Sequence, residues 1–393
     1  MATAHIATGT SDEGASLARD AWRRLRRDRV AMASLLLLVT VALLAWLTPL
    51  LPLQPPDRDR LTLQYRPPQT SPFWIDDFTL SAEEIEAAEQ DVTKLQTELA
   101  DLGGAELEAR QQMKIEIRNA IQRPYRRAGF PKLGAVGRWM VRQRLQLFGD
   151  KQINSLCGRD LFGRDLFSRL FWGARISLIV GLVATLVSLL IGVTYGAVSG
   201  YLGGRVDNAM MRMVDILYSI PFIFVVIFII TILNEDSIQA RLERVGVDRL
   251  TFFYLIVCAI YCLTRARVVR GQVISRKNEQ YIEAARSLGA GQVRIIFLHV
   301  LPNVFSVVLV YLTLTIPRVM LFEAFLSFLG LGVEPPNVSW GLLANEGIQV
   351  ITPVKIYWWL VLFPSLALGA TLLALNFLGD GLRDALDPRL RNQ

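Results

Sequence analysis

Long apolar blocks set the strongest constraint on this chain. The first runs from Val30 to Leu51, directly after the basic stretch Arg23-Arg24-Leu25-Arg26-Arg27-Asp28-Arg29. As a helix rising ~1.5 Å per residue it would reach about 33 Å, close to the ~30 Å hydrocarbon core of a bilayer. It is too long for the apolar core of a signal peptide, and no small-x-small cleavage site follows. It reads as a retained first span, closed by Pro49 and Pro52. Five further blocks lie near 175–199, 212–233, 251–270, 303–325 and 356–378. In the block near 251–270 the uninterrupted apolar part, Phe252 to Leu263, is too short to cross. Its helix is expected to continue through Ala266, Val268 and Val269 on a protein-facing side, with Arg265, Arg267 and Arg270 leaving toward water.

Composition excludes several classes. Charged residues are 20% and hydrophobic ones 52% of 393 residues, which rules out disorder and disfavours a conventional soluble enzyme. The net charge is +7, but the basic residues flank apolar blocks, the pattern of a membrane protein and not of a nucleic-acid binder. Cys157, Cys258 and Cys262 cannot form a disulfide scaffold, and His5 and His299 are too few for a His-rich zinc site. There is no Gly-x-x-x-x-Gly-Lys-Ser/Thr loop for ATP and no Gly-x-Ser-x-Gly elbow. We therefore expect no catalytic residue, no metal and no cofactor held by this chain.

Lys and Arg fix the expected orientation. With the N-terminus inside, the short outer loops hold only Arg241, Arg244, Arg249 and Lys355, while the inner segments hold many more. Both ends are then cytoplasmic, in a chain of six spans. The expected organisation is a basic tail at 1–29, which also meets anionic lipid, and a first span at 30–51. An extracytoplasmic segment at 52–172 follows. A core at 173–379 carries five spans and an inner loop at about 271–302, and a tail at 380–393 ends the chain. Inside the outer segment, Ile85, Ala88, Val92, Leu95, Leu99 and Leu102 step by three and four, a heptad seam, and Ser81 with Glu84 forms a capping box. Gly103-Gly104 breaks this helix, and a second one is expected from Ala105 to Gln122. The pair, at about 81–122, is a helical hairpin that packs on its own chain or serves as a docking arm.

The inner loop carries the functional signal. Glu279 to Ser287 reads as a short amphipathic helix stopped at Gly289, and a second helix then leads through Leu301-Pro302 into the next span. Ala284 and Ala285 offer a smooth surface to another protein. Glu283-Ala284-Ala285-x-x-x-Gly289, with Leu301-Pro302 twelve residues on, resembles the EAA loop of ABC importer permeases.

Gly163-Arg164-Asp165-x-x-Ser168-Arg169 with Gly173-Ala174-Arg175, then Leu326-Ser327-Phe328-Leu329-Gly330, and the ending Gly379-Asp380-Gly381-Leu382-Arg383 are similar to the second, C-type permease subunit of dipeptide and oligopeptide importers. The resemblance covers about 20–53 and 153–391. Where that family has Gly-Thr-Asp, this chain has Cys157-Gly158-Arg159-Asp160, and its outer segment is longer than the usual form.

The resemblance implies an all-α type I importer permease fold in a bacterial inner membrane, with the hairpin as an insertion. It implies that Glu283, Ala284, Ala285, Arg286, Ser287 and Gly289 couple to an ATPase. It also implies the partners: a second, homologous permease subunit, two ATPase subunits that carry ATP and Mg, and an extracytoplasmic peptide-binding protein. A secondary transporter and a membrane-anchored scaffold acting through the hairpin are the alternatives.

Arg318, inside the fifth block, is either a pathway-lining group or a structural one. Arg212 and Asp215 are expected to pair locally, Pro221 to kink its span, and Glu323 to be a solvated or interfacial acid near the outer surface.

Overall fold

A computed structural model describes residues 17–101, 107–233, 235, 238, 249–333 and 335–386. The residues Gly103-Gly104, the start of the second hairpin helix, the outer arginines Arg241 and Arg244, and the tail from Asp387 lie outside the described residues.

The chain is built of helices. A short basic helix α1 (Leu17–Arg27) precedes α2 (Arg29–Leu47). Asp28 starts α2 by accepting from the amides of Val30 and Ala31 at 2.9 and 3.1 Å, which satisfies donors that a helix start leaves free. An outer set follows: α3 (Ala82–Asp101), α4 (Leu107–Arg127) and α5 (Ala135–Phe148). Then come α6 (Leu166–Leu202), α7 (Gly204–Ser219), α8 (Phe222–Leu233) and α9 (Arg249–Arg276). The short α10 (Gln280–Ser287) and α11 (Gln292–Arg294) lead through a π-helical stretch, Ile295–Val300, into α12 (Leu301–Phe328). Last are α13 (Trp340–Gln349) and α14 (Trp358–Leu386). Two short antiparallel strands, β1 (Trp74–Asp76) and β2 (Lys151–Ile153), bracket the outer helices, with Trp74 opposite Ile153.

Among the described residues, four helices are long and apolar enough to cross a membrane: α2, α6, the Val307–Phe328 part of α12, and α14. The block near 212–233 is not one straight rod. It is α7 and α8, bent by 81° at a short break, and counted as one span it makes a fifth. Pro221 stands at that break: it disfavours helical geometry in Ile220 before it, and Ile220 is extended. α9 is 28 residues long but carries Arg265, Arg267, Arg270 and Arg276, so it falls short of the same apolarity.

α9 lies against α6 along a stripe of glycines. A Cβ added at Gly192 would come within 2.7 Å of the Cys262 carbonyl, one at Gly200 within 2.8 Å of the Arg270 carbonyl, and one at Gly196 would strike the Ala266 carbonyl. Glycine every fourth residue brings the two backbones together, as small residues do between helices in lipid. Arg265 does not leave toward water as its sequence context suggests. It is buried and donates to the Thr185 carbonyl and the Ser188 hydroxyl, both at 2.6 Å. Asp215 pairs not with Arg212 but across the fold with Arg267, at 2.7 Å. Arg270 grips Asp207, which also accepts from Ser199. α6, α7 and α9 are thus tied by close packing and by charge.

The outer helices share one core. Phe78, Leu80, Ile85, Tyr125, Phe130, Leu133 and Val141 are buried together with Trp172 at the start of α6. Ser81 and Glu84 make the expected reciprocal cap on α3. α4 runs through Pro124 to Arg127, five residues past the expected end, and α5 was not expected at all.

A buried ionic network then joins the approach to α6 with α13. Asp160 receives Arg164 at 2.7 Å and Arg169 at 2.6 Å, Arg169 reaches Glu346 at 2.6 Å, and Arg164 reaches Asp57 at 3.1 Å.

Asp165, next to this network, caps α6. It accepts from Ser155 at 2.7 Å, from the Ser168 amide at 2.9 Å and from the Phe167 amide at 3.3 Å. Burial outweighs those bonds and pushes its carboxyl up to about 6. A raised carboxyl favours the folded state in its protonated form. That contribution is complete below the unfolded value near 3.9 and is lost as pH rises through about 6. Its size is about 3 kcal/mol. The melting temperature of the purified protein in nanodiscs should therefore rise as pH falls from 7 to 5, and Asp165→Asn should remove most of that rise.

Candidate functional site

The segment from Glu279 to Leu301 is built on a single amphipathic turn and a glycine. In α10, Ile282 is fully buried and Ala285 is buried beside it. Both enter a core with Ala197 of α6, Val269 and Val273 of α9, and Ile295, Ile296 and Val300. The other face carries Tyr281, Glu283, Ala284, Arg286, Ser287 and Leu288, all exposed; Leu288 is 89% exposed. Of the two alanines, only Ala284 can meet another protein. Ala285 is small because its own chain packs over it.

The helix end follows from backbone sterics. Gly289 has φ +83°, a left-handed conformation that residues with a Cβ rarely adopt. The amide of Ala290 returns to the Ala285 carbonyl and that of Gly289 to the Arg286 carbonyl, each at 3.0 Å. This pair of bonds is a Schellman end, and Ala290 packs in the same core as Ala285, the apolar contact that accompanies it. Arg286 donates to the Tyr201 hydroxyl at 3.4 Å, a contact to the last turn of α6 that also holds its guanidinium in the charged form.

After the turn, Val293, Phe297 and Leu298 remain exposed at 70%, 45% and 63%. The Leu301 amide bonds to the Ile296 carbonyl, five residues back, in the π-helical stretch before Pro302. Pro302 sits in the first turn of α12, where a missing N–H costs least, so it starts the helix and does not break it.

The exposed face of α10 is a short ridge of small, charged and apolar side chains on a rigid base. It holds no set of groups suited to acid–base or nucleophilic work. Among the described residues, no three His, Cys, Asp or Glu side chains lie close enough to hold a metal.

The family described as the binding-protein-dependent transport system inner membrane component matches residues 192–392, just over half the chain and all of this segment. The chain belongs to that family. A second match, to the N-terminal transmembrane domain of oligopeptide transport permease C, covers residues 16–68, which contain α1 and α2. Among similar proteins, the oligopeptide transport system permease protein OppC of Escherichia coli K12 is 46% identical over 242 residues, 62% of this chain and 75% of that one. OppC of Haemophilus influenzae is 44% identical over 234 residues, 60% and 70% of the two chains. The dipeptide transport system permease protein DppC of Bacillus subtilis is 39% identical over 236 residues, 60% and 68%. The two family matches leave out 69–191, which holds the outer helices.

For a permease of this family, the remaining sequence-derived residues fall in two places. Arg318 of α12 is exposed, its carbonyl accepts from the Tyr261 hydroxyl at 3.1 Å, and its side chain forms no ion pair among the described residues. Glu323, expected in solvent or at the interface, is fully buried. Ser327 donates to it at 2.8 Å, and the hydroxyls of Ser177 and Ser339 lie beside it. Those serines come from α6 and from the turn before α13, so local sequence gives no hint of this pocket.

Anchoring through Ile282 has a measurable consequence. Ile282→Ala should cost about 2–4 kcal/mol of local stability. Hydrogen exchange in the permease should then speed up over 280–290 while α6 and α14 stay protected.

Proposed function

We propose that this chain is the membrane-spanning subunit of an ATP-driven peptide importer and lines half of the translocation pathway. The carrying observation is α10: an exposed ridge, Glu283 to Leu288, fixed from beneath by Ile282 and Ala285 to the two helices α6 and α9. A push on such a ridge moves helices that cross the membrane, because the buried face cannot slide without opening a packed core. The relatives named as dipeptide and oligopeptide permeases support peptide as the cargo.

In this reading α2, α6, the bent pair α7 and α8, α9, α12 and α14 make six spans, with both termini and α10 in the cytoplasm. The helices α3 to α5 then lie outside the bilayer as an insertion. The basic helix α1 sits at the headgroups of the bacterial inner membrane. A second, homologous permease subunit completes the pore. Two ATPase subunits bind ATP and Mg and receive Glu283, Ala284, Arg286 and Ser287, while Ala285 and Gly289 shape the ridge. An extracytoplasmic binding protein delivers the peptide. The chain itself performs no covalent chemistry. Coupling requires the ATPase to bind the ridge differently in its two states, since equal affinity shifts nothing.

Two outcomes check this reading. A cysteine at exposed Ser287 should crosslink to an ATPase subunit in intact cells. Gly289→Trp should lower peptide uptake more than tenfold, because a side chain at φ +83° dismantles the turn, and should leave ATP hydrolysis unresponsive to peptide. Absence of any crosslinked ATPase contradicts the proposal. Arg318 is assigned to the pathway, where it meets peptide carboxylates. Arg318→Leu should reduce uptake of acidic peptides several-fold more than that of basic ones; equal uptake of both removes Arg318 from the pathway.

A further inference from the structure

Between α3, α4 and α5 lies a cavity of about 470 Å³, within the range of small-molecule sites. Its apolar wall includes Ile85, Val92 and Ile121, and Trp139, 57% exposed, stands at its rim. Its polar side chains are Tyr125, Arg138, Arg142 with Glu89, and Thr93, whose hydroxyl donates to the Glu89 carbonyl.

Two features of these polar groups point to a ligand. Tyr125 is only 1% exposed, yet its hydroxyl has no hydrogen-bond partner. Buried hydroxyls are as a rule bonded. Burial raises this phenol, while the charge of Arg138, which lines the same cavity, acts in the opposite sense. The second feature is charge. Arg142 is neutralised by Glu89 across α3 and α5 and keeps a buried Nε without a partner. Arg138 donates to the Leu133 carbonyl at 2.9 Å and has no carboxylate among the described residues. The cavity therefore holds one uncompensated positive charge, two unused polar atoms and an apolar wall.

We propose that this cavity is an outer binding site for the C-terminal end of a peptide, its carboxylate between Arg138 and Tyr125 and its last side chain, apolar, against Ile85, Val92 and Ile121. A carboxylate is the group that a guanidinium fork and a phenol donor satisfy together. The single excess charge selects a monoanion. The choice of peptide over other carboxylates rests on the import reading; the site itself does not, since binding requires neither an ATPase nor transport.

The test is calorimetric titration of the full-length chain in nanodiscs with Ala-Ala-Phe, its C-terminal amide and octanoate. The free acid should bind at least tenfold more tightly than the amide. Arg138→Gln should bring the acid down to the level of the amide. Tyr125→Phe should weaken the acid at least threefold with no fall in melting temperature, because the lost hydroxyl has no partner in the protein. Equal binding of acid and amide overturns the proposal, as does acid binding unchanged in both variants. Binding of octanoate without Ala-Ala-Phe overturns the peptide assignment. A failed Ser287 crosslink with intact, Arg138-dependent binding would count against the import reading alone.

Discussion

The close approach of α6 and α9 is the contact on which the rest of the core depends. In lipid there is little hydrophobic gain from bringing two helices together, so association relies on packing and interhelical hydrogen bonds. Gly192, Gly196 and Gly200 supply the packing by removing the atoms that would hold the backbones apart. The same closeness gives Arg265 its partners: a guanidinium reaching from α9 finds the Thr185 carbonyl and Ser188 only because α6 is near. Ile282 and Ala285 complete the unit by burying α10 in the seam below it. Whatever moves α10 thus acts on two long helices together.

At the other end of α6 the fixing device is electrostatic. Arg164 and Arg169 are almost fully buried, with Asp160 between them and Glu346 and Asp57 at the margins. Buried ion pairs add little net stability, since desolvation offsets most of the attraction. Their effect is directional: a charge displaced by one residue loses its partner and remains buried. The network accordingly sets where the approach to α6 and the helix α13 stand relative to each other. α6 is held by shape along Gly192 to Gly200 and by charge at its start, where the Asp165 cap lies beside the ionic network.

How much of this was legible in the sequence depends on how far apart the interacting residues lie. The Ser81 and Glu84 box and the glycine end at Gly289 are local rules, and both hold in the structure. The inner loop was legible for the same reason, since its motif spans few residues. Glu323, Arg265 and Asp215 were misread because their partners come from other helices: Ser177, Thr185 and Arg267 respectively. An isolated acid next to an apolar run reads as a surface group until the hydroxyls around it are known. α5 escaped notice because Arg138, Arg142 and Arg144 interrupt its apolar positions, and one of them, Arg144, is itself buried with its guanidinium 3.3 Å from the centre of the Phe78 ring.

Arg318 shows what a single chain of this kind leaves incomplete. Other arginines of the spanning core have their partners within the chain: Arg169 has Asp160, Arg265 has Thr185 and Ser188, and Arg270 has Asp207. Arg318 sits on a span with an exposed side chain and no acid facing it among the described residues. An arginine at the centre of a span costs about 2.5–3.5 kcal/mol on insertion scales unless water or protein receives it. Snorkelling to a headgroup is open to a residue near a helix end, but Arg318 lies ten residues before the end of α12. An exposed guanidinium at that depth has to be met by water or by protein.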